Sequence, residues 1–434
     1  MLIGWKARSS DPAIASVRYR VLTPVGLLAA RGHQVEVFDE SRTALYDMVV
    51  FSKAYGAEDQ ALARRLRQRG KQAILDLCDN HFYNPFGLPA YEAARRELVT
   101  MARLCTGLVS STPALAHVLK SELGIEAIAV VGDVVEDLEI ERSAAWPSGT
   151  PRLLWFGLHG SPNAPAGMTD VLRISDELER AYARTPFILV VLSNNREKYD
   201  EQIAPLRFPT TYVDWTPETF RNEMTVARAV LIPLSENPFV SCKTHNRLTV
   251  ALRAGVPVIA DSIESYREFA PYVWLSDWAG GLEAVLADDV QPVRARMAQA
   301  GAYLRAYWSA DCIARQWERA LGLKCNETPL TQEEGSLWHT GKSQLIGHIG
   351  GVAVSPGGEL IELMVNGRAV ATTRADLPSV RRVGSTHWVS AEGGFVFPPN
   401  VLRQAESATL RRCSIRLADS CRPIPGAMID LAVI

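Results

Sequence analysis

Short apolar runs alternate with amphipathic stretches in two successive series and then stop, and this texture constrains the fold of the 434-residue chain more than any other feature. From Met1 to about residue 140, LIGWKA, QVEVF, YDMVVFSKA, QAILDLCD, TGLVSST and IAVVGD read as buried strands. VLTPVGLLAARG and EDQALARRLRQRG read as helices between them, the first closing at Gly32, where a helix end favours a residue tolerant of positive φ. Strands separated by helices imply parallel pairing, because a parallel neighbour is reached only through a crossover.

A polar stretch over residues 137–150, DLEIERSAAWPSGT, carries a Pro, a Gly and no sustained period, and reads as a linker. PRLLWFG, FILVVLSN, TTYVDW, RAVLIPL and VPVIAD then repeat the strand and helix alternation. The expected fold class is α/β, with two Rossmann-like units at 1–145 and 146–301 facing a cleft. AGAYLRAYWSADCIARQWERALGL, with Trp308 and Trp317, is expected as one amphipathic helix at 302–323 returning to the first unit. Past Lys324 the chain turns polar, and from about residue 342 it shows short alternating runs broken by Gly and Pro. Asn366-Gly367 between two such runs is a hairpin signal, so residues 340–434 are expected as a β-sandwich.

Composition narrows the function classes. Lys+Arg 46 against Asp+Glu 48 leaves a net charge of -2, which asks for no nucleic acid partner. Seven cysteines show no Cys-x-x-Cys pair and no His at zinc spacing, which fits a reducing compartment and no structural metal. The N-terminus turns polar too early for a signal peptide and no apolar run is long enough to span a bilayer, so a cytoplasmic location is expected.

In open α/β sheets ligands bind beyond the carboxyl ends of the strands, where helix N-termini offer N–H groups to phosphate. WFGLHGSPNAPAG places Gly157, Gly160 and Ser161 in such a turn, with the alternative of an ordinary βα loop. PLSENPFVSCKTHNRLTVALRAGVPVIAD is more specific: Lys243, Asn246 and Arg247 stand at the start of a helix capped by Gly255. Cations there oppose the helix dipole unless a ligand anion compensates. QAILDLCDNHFYNP ends a strand with Asp76, Asp79, Asn80 and His81, more polar residues than a turn needs. Arg18 and Arg20 flank Tyr19 ahead of the first helix and are expected at the cleft mouth, open to an anionic acceptor or to solvent.

RYR before VLTPVGLLAARGHQVEV, the turn of WFGLHGS, and Asn246-Arg247-Leu248 with AGVPVIAD together resemble the retaining GT-B glycosyltransferases, especially glycosyltransferase family 4, over residues 1 to about 323. The resemblance implies a GT-B fold whose second unit binds a nucleotide sugar, UDP- or GDP-linked, and whose first unit binds a glycan or lipid-linked acceptor, with no metal. It implies donor contacts at Gly157, His159, Gly160, Ser161, Asn194, Lys243, Asn246 and Arg247, with Trp215 near the nucleobase. Asp79 and His81 would orient or deprotonate the acceptor hydroxyl, Lys243 and Arg247 would stabilise the leaving diphosphate, and Arg18, Arg20, Asp76 and Asp79 would line the acceptor.

Two departures stand out. The family's Glu-x7-Glu pair falls on Cys242 and Val250, which leaves Glu236 as the substitute for the ribose, and its Arg-Lys pair is replaced by His159 and Asn163. The chain is therefore expected to be a glycosyltransferase of bacterial surface polysaccharide synthesis at the inner face of the membrane. The alternatives are an inactive GT-B-like scaffold and a nucleotide-sugar hydrolase or epimerase. The β part resembles modules appended to surface-polysaccharide enzymes, binding glycan through Trp338 and Trp388 or mediating homo-oligomer contacts.

Overall fold

The computed structural model describes the chain apart from residues 13, 137, 139, 141–148, 158–165, 324–333, 341–343, 351–358, 366–367, 376, 384–386, 397–409, 418–422 and 433–434, and beyond 333 it describes backbone only. The chain forms two compact units, Met1–Leu304 with Ile313–Lys324, and Arg305–Cys312 with Cys325–Ile434.

The first unit holds two six-stranded sheets. β1 (Leu2–Ala7), β2 (Gln34–Val37), β3 (Met48–Ser52), β4 (Gln72–Leu77), β5 (Gly107–Ser110) and β6 (Ile128–Val130) pair in parallel in the order β2-β1-β3-β4-β5-β6. β7 (Arg152–Phe156), β8 (Ile188–Ser193), β9 (Thr210–Asp214), β10 (Ala229–Ile232), β11 (Val258–Ala260) and β12 (Trp274–Leu275) do the same in the order β12-β11-β10-β7-β8-β9. Central strands such as MVVFS and ILVVLS are apolar on both faces because helices cover both faces of a parallel sheet. Each order reverses direction once, between β1 and β3 in the first sheet and between β7 and β10 in the second. At those points neighbouring loops diverge to opposite faces and leave a crevice beyond the strand ends.

The first helix begins earlier than the apolar pattern suggests. Ala15–Val17, Arg18–Leu22 and Thr23–Ala30 run on as one helical path, with a π turn over Arg18–Leu22 in which the Thr23 N–H reaches the Arg18 carbonyl. Pro24 explains the π turn, since it has no N–H for the carbonyl four residues back, that of Arg20. The Trp5 indole donates to that carbonyl instead, at 2.7 Å.

The helix expected at 302–323 is two helices, Gln291–Tyr307 and Ala310–Ala320. The second places Trp317 edge-on to Trp5 at 4.8 Å between ring centroids. It also brings the fully buried Glu318 to Arg31 and His33, both at 2.8 Å, so the chain does return to the first sheet.

In the second unit, strands Glu334–Thr340, Gln344–Gly350, Leu377–Val383 and His387–Val396 form one antiparallel sheet, and Glu359–Val365, Arg368–Ala375, Leu410–Leu417 and Pro423–Ala432 form another. Val365 pairs with Arg368 across the expected hairpin, whose Asn366 and Gly367 lie outside the described residues. Among the described residues no helix is long and apolar enough to cross a membrane.

Candidate functional site

The second sheet's crevice is built by the residues after β7 and β10. Gly157 follows β7 with φ 153°, and a Cβ there would stand 3.4 Å from the Trp155 ring and 3.6 Å from Cζ of Arg247. The loop after β10 leads through a turn at Val240–Cys242 to the helix Asn246–Arg253, whose buried face is Leu248 to Leu252. Arg247 projects from its first turn toward Gly157 and lies 5.3 Å from the Trp155 ring centroid and 5.4 Å from that of Phe156. Its Nε and Nη2 are buried and have no hydrogen-bond partner among the described residues. Burial pulls the Arg247 pKa down, with Tyr266 and Asp170 acting the other way. A guanidinium that has lost water and gained no acceptor is an unmet demand for an anion.

Lys243 and Asn246 do not share that position. Lys243 packs over the Phe239 ring and its Nζ donates to Asp79 Oδ1 at 2.6 Å. Asn246 donates to Asp133 Oδ2 at 2.7 Å. Of the three residues expected to converge on one anion, Lys243 and Asn246 are thus held by carboxylates from the first sheet's strand ends, while Nε and Nη2 of Arg247 have no partner among the described residues.

On the first-sheet side, Asp79 follows β4 and takes two lysines, Lys243 on Oδ1 and Lys53 Nζ on Oδ2 at 2.7 Å. Burial works against its charge, but Lys243 and Lys53 outweigh it and hold its pKa well below the carboxylate range. Tyr55, whose phenol burial keeps protonated, bonds His81 Nδ1 at 2.9 Å. Burial, reinforced by Lys53, Arg8 and Lys243 and opposed by Asp79, pushes His81 down to about 4. Near neutral pH, Asp79 is thus a carboxylate and His81 a neutral imidazole.

Two acceptor-side expectations fail for one reason. Arg20 is 1% exposed rather than at a cleft mouth. It binds Asp76 through Nε and Nη2 and Asp133 through Nη1 at 3.0 Å, beneath the Trp317 ring. Asp76 is itself fully buried, so neither residue is open to an acceptor. The π turn at Pro24 directs Arg20 inward. Arg18 stays partly exposed and pairs with Glu136 at 3.2 Å.

Asn194 is exposed in the turn after β8, where Asn195 rather than Asn194 caps the following helix. Trp215 is half-buried just past β9, with its backbone N–H on the Ser193 carbonyl. Glu236 is exposed on the loop after β10. His159, Gly160, Ser161 and Asn163 lie outside the described residues, as do the side chains of Trp338 and Trp388. Cys242 and Val250 are 2% and 3% exposed, packed into the fold. Asp133 and Lys53 were not singled out in the sequence. Their signal was position, as the first polar residue after the runs IAVVG and VVFS was ordinary strand punctuation until paired.

Neither a protein-family model nor a curated protein matches the sequence. Among solved structures, the chain is similar to HepE of Anabaena, crystallised with UDP and glucose, at 15% identity and a TM-score of 0.53, over 74% of this chain and 99% of that one. It is also similar to S. aureus TarM at 12% identity and 0.48, covering 64% of this chain and 56% of TarM. A third likeness is to the trehalose 6-phosphate synthase of Burkholderia multivorans, at 13% and 0.47, over 68% and 79%. The chain thus spans little more than half the length of TarM. The likeness to HepE, with the two parallel sheets, shows a GT-B fold of two Rossmann-like domains.

Proposed function

We propose that the chain is a glycosyltransferase that moves a sugar from a UDP- or GDP-sugar to a glycan or lipid-linked acceptor, without a metal and with retention, in building a bacterial surface polysaccharide. Arg247 carries this reading: a buried guanidinium with two unpaired nitrogens at the crevice of the second sheet, beside a glycine that leaves room for a ligand. When a glycosyl bond to a nucleoside diphosphate breaks, negative charge grows on the leaving phosphate, and preorganised donors there lower the barrier. Arg247 supplies such donors with no partner to displace. Lys243 joins it by exchanging Asp79 for phosphate, and Asp79, still charge-paired with Lys53, then has an oxygen free for the acceptor hydroxyl. UDP is the first nucleotide to try, because HepE, which shares the fold, was crystallised with it. Retention, the surface-glycan setting, contact with the membrane and a β-sandwich serving oligomer or glycan contacts rest on the family resemblance.

A second reading, a GT-B-like scaffold without catalysis, draws on the burial of Cys242 and Val250, which leaves no carboxylate where the family places its ribose ligand. Incubation with UDP- and GDP-sugars in EDTA, followed by NMR of the anomeric proton, separates the readings. A glycoside product of unchanged anomeric configuration supports the first. Binding without turnover supports the scaffold, and free sugar as the sole product supports a hydrolase.

A further inference from the structure

The first sheet has its own crevice, between β1 and β3, and three adjacent strand ends open on it. Arg8 follows β1 with its N–H on the Ser52 carbonyl, Lys53 follows β3 with its N–H on the Asp76 carbonyl, and Asp79 to His81 follow β4. Ligands of open α/β sheets sit at this point of reversal. The side chains there are unusually rich in donors. Arg8 is exposed and forms no ion pair among the described residues. Lys53 and Lys243 share the single carboxylate of Asp79, which leaves each ammonium with two N–H groups unspent on it. Tyr55 occupies His81 Nδ1, and in the tautomer where Tyr55 donates, Nε2 carries the proton and is a donor too. Lys53 also holds φ at 53°, one of two non-glycine residues with positive φ among those described, a strained backbone of the kind found at functional positions. Three cations stand around the carboxylate of Asp79, and the other carboxylate acting on the cluster is Glu97, through Tyr55, so positive charge is in excess there.

We propose that Arg8, Lys53 and His81 form an oxyanion-binding subsite that recognises a phosphate or carboxylate group on the acceptor. The subsite rests on the glycosyltransferase reading for its ligand's role, though not for its chemistry. It replaces Arg18 and Arg20, which are spent on Glu136, Asp76 and Asp133. An oxyanion here would complete the charge balance that Asp79 leaves unfinished and would hold an acceptor with its hydroxyl toward the second sheet's crevice.

The test is calorimetric titration of the full chain with inorganic phosphate, with glucuronate and, separately, with UDP and GDP. Lys53→Met and Arg8→Gln should each weaken phosphate or glucuronate binding by about tenfold or more, the worth of one charge-assisted hydrogen bond, and Arg8→Gln should leave nucleotide affinity within about twofold. Arg247→Gln should do the reverse. Stronger binding of phosphate identifies a phosphorylated acceptor, and stronger binding of glucuronate an acidic sugar. Arg8 is exposed, so its variant folds even where Lys53→Met does not. Oxyanion binding unchanged in Arg8→Gln, or none by the wild type, overturns the subsite. Oxyanion binding that depends on Arg8 in a chain that binds neither nucleotide leaves the subsite standing and removes the nucleotide-sugar reading.

Discussion

Arg247 and the buried histidines set the predictions at the scale of single residues. Arg247→Leu removes a desolvated charge whose Nε and Nη2 have no partner among the described residues, so the ligand-free variant should melt at the same temperature or higher, an outcome a structural arginine would reverse. Lys243→Ala should lower kcat by about 10²–10³, as loss of a preorganised donor does, with the fold intact by circular dichroism. His245, 3% exposed and set against the Phe269 ring, is pushed down to about 4 by burial. Its folded pKa lies below the unfolded value, so its contribution to stability is present above about 6.5 and is lost as pH falls toward 4. Denaturant titrations at pH 7 and pH 4.5 should show His245→Leu losing less stability than wild type over that interval, by about 2–3 kcal/mol.

At the scale of elements, the π turn organises the first sheet's strand ends. Pro24 frees the Arg20 carbonyl for Trp5, and the same turn aims the Arg20 side chain at Asp76 and Asp133. Asp133 in turn holds Asn246, the residue before Arg247, so one buried cation ties the first helix to the start of the helix that presents Arg247. Arg20→Met strands two buried carboxylates and should cost about 3–5 kcal/mol in urea unfolding. Trp5→Phe leaves one buried carbonyl unpaired and should cost about 1–3 kcal/mol beyond any loss of packing against Trp317. Equal stability of either variant and the wild type would mean the turn is incidental. This network was illegible in the sequence because RYR reads as exposed polar residues, and the inward turn depends on a proline four positions later and a tryptophan on another element.

For the molecule as a whole, the legible part was what repeats. Apolar runs at parallel-strand length marked eleven of the twelve strands of the first unit, and only the two-residue β12 escaped, too short to carry a pattern. The helix placed at 302–323 is broken because the Ser309 hydroxyl accepts the Cys312 N–H and starts a second helix, a local cap inside an otherwise continuous amphipathic pattern. The strand-end rule singled out Gly157, Asp79, Lys243 and Arg247, and all four do lie beyond carboxyl ends of strands. Pairing was not legible, because which cation meets which carboxylate is decided by two sheets brought together across more than a hundred residues of sequence. The central claim, that Arg247 awaits the phosphate of a nucleotide, is tested most directly by calorimetric titration of UDP and GDP into wild type and Arg247→Gln. The account predicts binding of at least one nucleotide by the wild type and a loss of about 10–100-fold in affinity in the variant. Equal affinity in both proteins, or no nucleotide binding by the wild type, would contradict it.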